Sequence, residues 1–261
     1  MQFTFFERLK LLYLKKKKLT VHLYALCWND EMMLPHFFRH YDLVVDKYFI
    51  FDSGSTDKSL DIIKANKKAV VENFKIESDS FVLDALQFYN HAWKKSRGKA
   101  DWIILCNIDE LFYHPDSLKT YLKRCQLEKA TIIVPEGYEM TADKFPVNIN
   151  VPIYEMINTG FRDTKMDKPQ VFDPNKISEI NFKVGRHTAI PEGYVQYATE
   201  KWMLLHYKYI GMEYWLPRQN ELRTGLREKD LKENWGEQYT WEDKEKIRKY
   251  TEYKNQSQRI L

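Results

Sequence analysis

Three polar clusters in this 261-residue chain each follow directly on an apolar run. Asn29, Asp30 and Glu31 follow residues 21–27 (VHLYALC). Asp52-Ser-Gly-Ser-Thr-Asp57 follows KYFIF at 47–51, and Asn107-Ile-Asp109-Glu110 follows WIILC at 102–106. The second cluster combines a carboxylate, hydroxyls and a flexible Gly54. Asp52 there can accept hydrogen bonds from a base or a ribose, and the start of the next helix can receive phosphate. The plainer alternative is a capped turn that only begins a helix. A phosphatase nucleophile would require a second Asp two residues after the first, and Gly54 stands there. Neither GxGxxG nor GxxxxGK[ST] occurs, which disfavours dinucleotide and P-loop sites. The paired oxygens of Asp109 and Glu110 suit a hard divalent cation that also takes diphosphate oxygens. The alternative for them is a helix-capping or salt-bridged pair.

The segments that carry these clusters alternate in character. Residues 21–27, 47–51, 70–74 and 102–106 read as short buried strands. Residues 32–43, 58–68 and 82–96 read as helices, with Pro35 tolerable only in a first turn and Thr56 or Asp57 as cap of the second. A further helix at 117–126 leads to a fifth strand at 131–134. The alternation predicts an α/β fold, a mostly parallel central sheet flanked by helices. Such sheets bind ligands beyond the carboxyl ends of their strands, where all three clusters fall. After residue 135 the text turns aromatic and Pro-punctuated, with short strands. From about residue 213 it is charged and helical.

Lys+Arg number 41 against Asp+Glu 37, a net charge of +4. Residues 1–20 hold six cationic side chains against Glu7 alone, so the remaining chain is close to neutral. A basic stripe across a folded domain is therefore missing, which argues against a nucleic-acid partner. In the arm, Phe5, Phe6, Leu9, Leu12 and Tyr13 share one helical face, and Lys15 to Lys18 follow. That pattern predicts binding of residues 1–18 to an anionic membrane surface; packing on the domain or on a second subunit is the alternative. The charge follows the apolar stretch, the reverse of a secretory signal. Cys27, Cys106 and Cys125 lack CxxC spacing and indicate neither a disulfide framework nor a zinc knuckle. A cytoplasmic protein, peripheral on the cytoplasmic face of the membrane, is the expectation. The oligomeric state is left open.

Seven stretches in order, LCWNDEMMLPHFFRHY, FIFDSGSTDKS, WIILCNIDELF, KPQVFDP, GRHT, LLHYKY and RTGLREKDLKENWGEQY, resemble GT-A glycosyltransferases of the family-2 type. The branch is the bacterial-like one with a DIDE-like strand end. The resemblance spans residues 21 to about 240. With the charge distribution, it divides the chain into a basic arm at 1–20, an implied catalytic domain at 21–212 and a charged helical segment at 213–261. The catalytic domain would comprise a nucleotide-sugar half (21–135) and an acceptor and metal-completing half (136–212). The donor would be a nucleotide-diphosphate sugar, UDP-linked by preference, and the acceptor a glycan or lipid-linked sugar. Asp52 would hold the base or ribose beside Cys27, Asn29 and Glu31. Asp109 would bind a divalent cation, Mn²⁺ or Mg²⁺, completed by His206. Lys168 and His187 match cationic positions facing diphosphate or acceptor. Asn107 stands where the usual motif carries its first acid, so the site loses a charge there.

The reaction implied is inverting transfer by direct displacement, with a carboxylate as general base. Glu136, Glu139 and Asp143, just beyond the fifth strand, are the candidates, with Glu110 as competitor. Arg218 and Arg223 are further candidate cations, and Trp215, Trp235 and Tyr239 candidate stacking groups. A sugar-phosphate nucleotidyltransferase would want a Gly- and Arg-rich loop after the first strand, which Trp28 to Glu31 does not supply. A non-catalytic nucleotide-sugar, glycan-binding or membrane-docking module on the same scaffold is the second alternative. Polysaccharide, lipid-linked oligosaccharide and glycoprotein assembly all fit.

Overall fold

The computed structural model describes Leu12 and residues 18–261. The membrane-binding arm expected at 1–18 thus lies, except for Leu12 and Lys18, outside the described residues. The first half runs β1 (Val21–Cys27), α1 (Leu34–Tyr41), β2 (Lys47–Asp52), α2 (Ser59–Ala65), β3 (Ala69–Asn73), α3 (Phe81–His91) and β4 (Trp102–Leu105). It continues with β5 (Glu110–Tyr113), α4 (Leu118–Leu127), β6 (Ile132–Ile133), β7 (Glu136–Ala142), α5 (Ile153–Met156), β8 (Thr159–Arg162) and β9 (Val171–Phe172). A two-stranded ribbon, β10 (Ile177–Glu179) and β11 (Glu192–Gly193), precedes β12 (Met203–Ile210). The chain ends in α6 (Met212–Gly225), α7 (Glu228–Lys232), α8 (Glu237–Thr240), α9 (Asp243–Asn255) and β13 (Gln258–Arg259).

The central sheet has the order β3-β2-β1-β4-β9-β6, and its first four strands are parallel. A parallel sheet covered on both faces explains why its strands read as unbroken apolar runs. Val21, Leu23 and Ala25 of β1 and Ile104 of β4 pack with Leu34, Phe37 and Tyr41 of α1 on one face. Tyr24, Ile103 and Leu105 pack with Ala85, Tyr89 and Trp93 on the other. The fold class expected from the alternation, a mostly parallel sheet flanked by helices with a helical C-terminal segment, is the one observed.

Some boundaries shift for local reasons. The helix expected at 58–68 stops at Ala65 because Asn66 turns extended (φ −83°, ψ 111°). The helix expected at 82–96 becomes α3 followed by a 3₁₀ turn over Ala92–Ser96. Ser80 and Ser117 cap α3 and α4, accepting from the N–H groups of Leu83 and Thr120.

A second sheet, ordered β13-β8-β7-β12-β5, carries the rest of the chain. The short strands expected after residue 135 are present, but β7 and β12 are longer than expected, at seven and eight residues. Strand β7 was hidden because EGYEMTA alternates weakly in hydrophobicity, and pairing with β8 and β12 stabilises it. The two sheets meet where the chain leaves β4 and enters β5, a crossing made by residues 106–109. Among the described residues, no helix is long and apolar enough to cross a membrane.

Candidate functional site

At the carboxyl ends of β1 and β2 two loops are laced together. The Asp52 carboxylate accepts from the N–H groups of Gly54 (3.0 Å) and Ser55 (3.1 Å), and Gly54 takes φ +83°, which suits glycine. Asn29 Oδ1 accepts from Thr56 N (2.7 Å), and Glu31 Oε2 accepts from Lys58 N (2.9 Å). Asp57 bridges both loops by accepting from Glu31 N and Ser59 N. The oxygens of Asp52, Asn29 and Glu31 are thus engaged by the turn itself, the plainer alternative for this motif. Asp52 is buried, and none of the three lines the cleft beyond the strand ends; Cys27, Trp28, Asp30 and Ser53 do. Burial pushes the Cys27 thiol well up, so it meets the cleft as a neutral group.

That cleft, about 880 Å³, opens between the two sheets and the C-terminal helices. Its floor is the crossing from β4 to β5. Asn107 Oδ1 accepts from Tyr89 Oη (3.1 Å) and Arg186 Nη2 (2.7 Å). Glu110 was expected beside Asp109 in an exposed pair and as a competing base. It is instead fully buried as the first residue of β5. Its Oε1 lies 2.6 Å from Lys168 Nζ, its Oε2 accepts from Asn107 N (2.9 Å) and Gln170 Nε2 (3.2 Å), and Arg186 Nη2 stands 3.9 Å away. Burial alone would raise the Glu110 carboxyl, but Lys168, Arg186 and His206 override it and hold it far below the usual range. A carboxylate so held is a poor proton acceptor. Lys168, expected to face diphosphate, directs its ammonium to Glu110.

Asp109 takes the other direction. Pairing of β12 with both β5 and β7 sets His206 opposite Glu110 and opposite Glu139. His206 Nε2 lies 3.2 Å from Asp109 Oδ2, and His206 Nδ1 lies 2.9 Å from Glu139 Oε2. Burial would lower the His206 pKa; the Glu139 and Asp109 carboxylates outweigh it and raise it to about 10. The ring is therefore an imidazolium held between two carboxylates. The Asp109 carboxyl, raised by burial but lowered more by His206, stays ionised. Lys208, two residues along the same strand, lines the cleft over the Tyr209 and Tyr239 rings at 5.4 and 5.9 Å.

The donor chemistry here fits a divalent cation. Asp109 supplies a hard oxygen and His206, on releasing its Nε2 proton to bind metal, a nitrogen, while Glu139 sits where a ligating histidine's other ring nitrogen finds its orienting carboxylate. No group of three or more His, Cys, Asp or Glu able to hold a metal occurs among the described residues, so substrate oxygens and water would complete the shell.

The remaining base candidates separate by strand geometry. Glu136 and Glu139, three apart on β7, point to opposite faces. Glu139 lines the cleft; Glu136 pairs with Lys201 at 3.6 Å on the outside. Asp143 is an exposed partner of Lys254. Three other carboxylates line the cleft, Asp30, Asp163 and Glu237. Asp30, raised by burial to about 6 against the pull of Arg218, lies 2.9 Å from Arg218 Nη2. Asp163 accepts from Lys165 N through Oδ1. His187 also lines the cleft. Its ring nitrogen donates to the Lys165 carbonyl, and burial lowers its pKa, so it is neutral rather than cationic.

The C-terminal segment closes one side. Arg218 pairs with Asp30 and Glu221, and Glu221 Oε1 accepts from Asn29 Nδ2 (2.5 Å). Trp215, buried with Tyr209 and Tyr250, lines the cleft together with Trp235 and Tyr239; Arg223 is exposed and does not. Asp230, fully buried, fastens this side to the start of α3, accepting from Ser80 Oγ (2.5 Å), Phe81 N (3.0 Å) and Arg227 N (2.9 Å). Asp230→Ala leaves these donors unpaired and is expected to destabilise by about 2–3 kcal/mol. Denaturant unfolding checks the figure, and limited proteolysis should show earlier cutting within 226–241.

Arg186, Lys208 and Asp163 were not singled out from the sequence. Lys208 was signalled only by its period-two spacing from His206 inside LLHYKY. Arg186 owes its position to a left-handed pair, Gly185 (φ +76°) and Arg186 (φ +60°), that its residue type does not announce.

No protein-family model matches the chain, and no curated protein matches it in sequence. Among solved structures, it is similar to glucosyl-3-phosphoglycerate synthase from Mycobacterium tuberculosis, crystallised with Mn²⁺, UDP and glucosyl-3-phosphoglycerate. That likeness has 15% identity and a TM-score of 0.31, over 53% of this chain and 49% of that one. A mycobacterial protein matches at 15% identity and TM-score 0.31, over 46% of this chain and 41% of that one. The chain thus spans less than half the length of either. It is also similar to 4-diphosphocytidyl-2C-methyl-D-erythritol synthase, with 11% identity and TM-score 0.35, over 61% of this chain and 76% of that one.

Proposed function

We propose that the chain is a GT-A-type glycosyltransferase that moves a sugar from a nucleotide-diphosphate donor, UDP-linked by preference, to a glycan or lipid-linked acceptor. One observation carries this reading: Asp109, in the crossing from β4 to β5, and His206, on β12, converge to 3.2 Å in a large cleft beyond the ends of the parallel strands. Asp109 and His206 would hold the divalent cation, which when bound would neutralise charge developing on the departing diphosphate. Glu139 pairs with His206 at 2.9 Å, which removes it from the list of free bases. Asp30 is committed to Arg218, which leaves Asp163 and Glu237 as the acid-base groups this reading favours for the acceptor hydroxyl. The domain limits at 21–212 and 213–261, and docking of residues 1–18 on an anionic membrane, belong to the same proposal.

Asn107 favours a second reading, a nucleotide-sugar or glycan-binding module without turnover, because it is uncharged and its amide oxygen is already occupied. Calorimetry with UDP, with and without Mn²⁺, tests the shared part. Micromolar to millimolar binding that tightens with Mn²⁺ is expected; no nucleotide binding in any condition sinks both readings. Hydrolysis of a panel of nucleotide sugars then separates enzyme from module.

A further inference from the structure

One cluster of ion pairs beside the cleft is unbalanced. Behind Asn107, Glu110 is the one carboxylate for two buried cations, Lys168 and Arg186. Among the described residues no other carboxylate stands within ion-pair distance of either, so this buried group carries a formal +1. An unmatched buried charge is costly unless a counter-charge joins it.

Both cations line the cleft, but the Lys168 ammonium lies 2.6 Å from Glu110 whereas Arg186 stands 3.9 Å from it. Arg186 is 6% exposed, and its guanidinium lies 3.8 Å from the centre of the Tyr89 ring. Nη2 is spent on Asn107, whereas Nη1 is buried without a partner. Its backbone lies in the left-handed region at φ +60°, directly after Gly185 at φ +76°. A cleft-lining guanidinium with a spare N–H, stacked on Tyr89, is suited to receive an oxyanion. Lys165 and Lys208, both lining the same cleft, add charge of the same sign.

We propose that Arg186 is a phosphate-binding residue of this cleft, its free Nη1 taking an oxygen of a phosphate group carried by a substrate. The proposal deepens the nucleotide-sugar reading and rests on it for the two sources considered. The phosphate is either in the donor's diphosphate or on the second substrate.

The test uses the full chain and its Arg186→Gln and Arg186→Lys variants, with binding read by calorimetry and by ligand-induced rise in thermal midpoint. One arm titrates UDP with Mg²⁺; the other titrates inorganic phosphate into free and into UDP-saturated protein. Arg186→Gln is expected to lose at least about tenfold in affinity in one arm, with Arg186→Lys between it and wild type because it keeps the charge and loses the fork. Loss in the UDP arm assigns the donor diphosphate. Loss confined to phosphate on UDP-saturated protein assigns the second substrate. Both variants leave Glu110 paired with Lys168, so they should fold, and near-ultraviolet circular dichroism checks this. Equal affinities of wild type and Arg186→Gln in both arms overturn the proposal. If wild type binds no UDP, the nucleotide reading falls separately, and the phosphate arm decides Arg186. No phosphate binding by wild type, or equal binding by Arg186→Gln, then overturns it.

Discussion

Asp109→Ala is expected to lower turnover of whichever nucleotide sugar the protein accepts by about 10²–10³-fold or more, while the fold persists. The loss should be large because Asp109 is the carboxylate that meets His206 in the cleft, and no neighbour can replace it. Asn107 is neutral and occupied, and Glu110 is spent on Lys168. Stability should barely move. The Asp109 side chain is 32% exposed, and such ion pairs contribute about 0–1 kcal/mol. His206 also keeps Glu139 at 2.9 Å when Asp109 is removed. The checks are hydrolysis and transfer rates across a donor panel, beside thermal unfolding of both proteins. A variant that turns over donor at the wild-type rate shows that the cation-binding assignment is wrong.

The adjacent carboxylate should behave in the opposite way. Glu110→Ala removes the counter-charge from two buried cations and opens a void beneath β5. Breaking a buried pair by deleting one partner destabilises by about 3–5 kcal/mol. In a chain of this size that lowers the thermal midpoint by on the order of 10 °C. The sign of the pH dependence follows from the same contacts. The Glu110 carboxyl is depressed in the folded protein, so its contribution is present above its ordinary pKa and is lost as pH falls through the depressed folded value. Wild type should therefore lose stability towards strong acid more steeply than Glu110→Gln. A double variant, Glu110→Ala with Lys168→Met, should recover part of the loss, because it removes one stranded cation with the anion. An unchanged midpoint in Glu110→Gln and Glu110→Ala would show that the buried cluster does not support the fold.

Two carboxylates side by side in the sequence thus have different fates, and nothing in Asn107-Ile-Asp109-Glu110 says which is which. The strand end marks both as unusual, since a charged pair after WIILC is not ordinary surface. The alternation of a strand then sends consecutive side chains to opposite sides. Asp109 precedes β5 and meets His206; Glu110 begins it and turns inward. Which of them is buried depends on Lys168 and Gln170, 58 and 60 residues away.

The same division holds for the loop after β2. Asp52 to Asp57 is legible as a turn rich in oxygen acceptors. Whether those acceptors serve a ligand or the turn depends on which N–H groups the neighbouring loop leaves free. Gly54, Ser55, Thr56 and Lys58 are all satisfied within the two loops.

By itself, then, the sequence determined the α/β class, the parallel strands and the helices between them. Apolar runs of strand length separated by helical periodicity encode these locally, and burial on both faces reinforces them. It also determined that chemistry belongs at the strand ends, where acidic residues interrupt apolar text. Only the tertiary structure decided the rest. It converted Glu110 and Lys168 into a buried pair, set Glu139 behind His206, and left Arg186 with a free N–H against Tyr89. The physical reason is that charge on a side chain has no fixed consequence. Its role depends on the partners that strand pairing and loop closure bring within hydrogen-bond distance, and those partners lie far away in the chain.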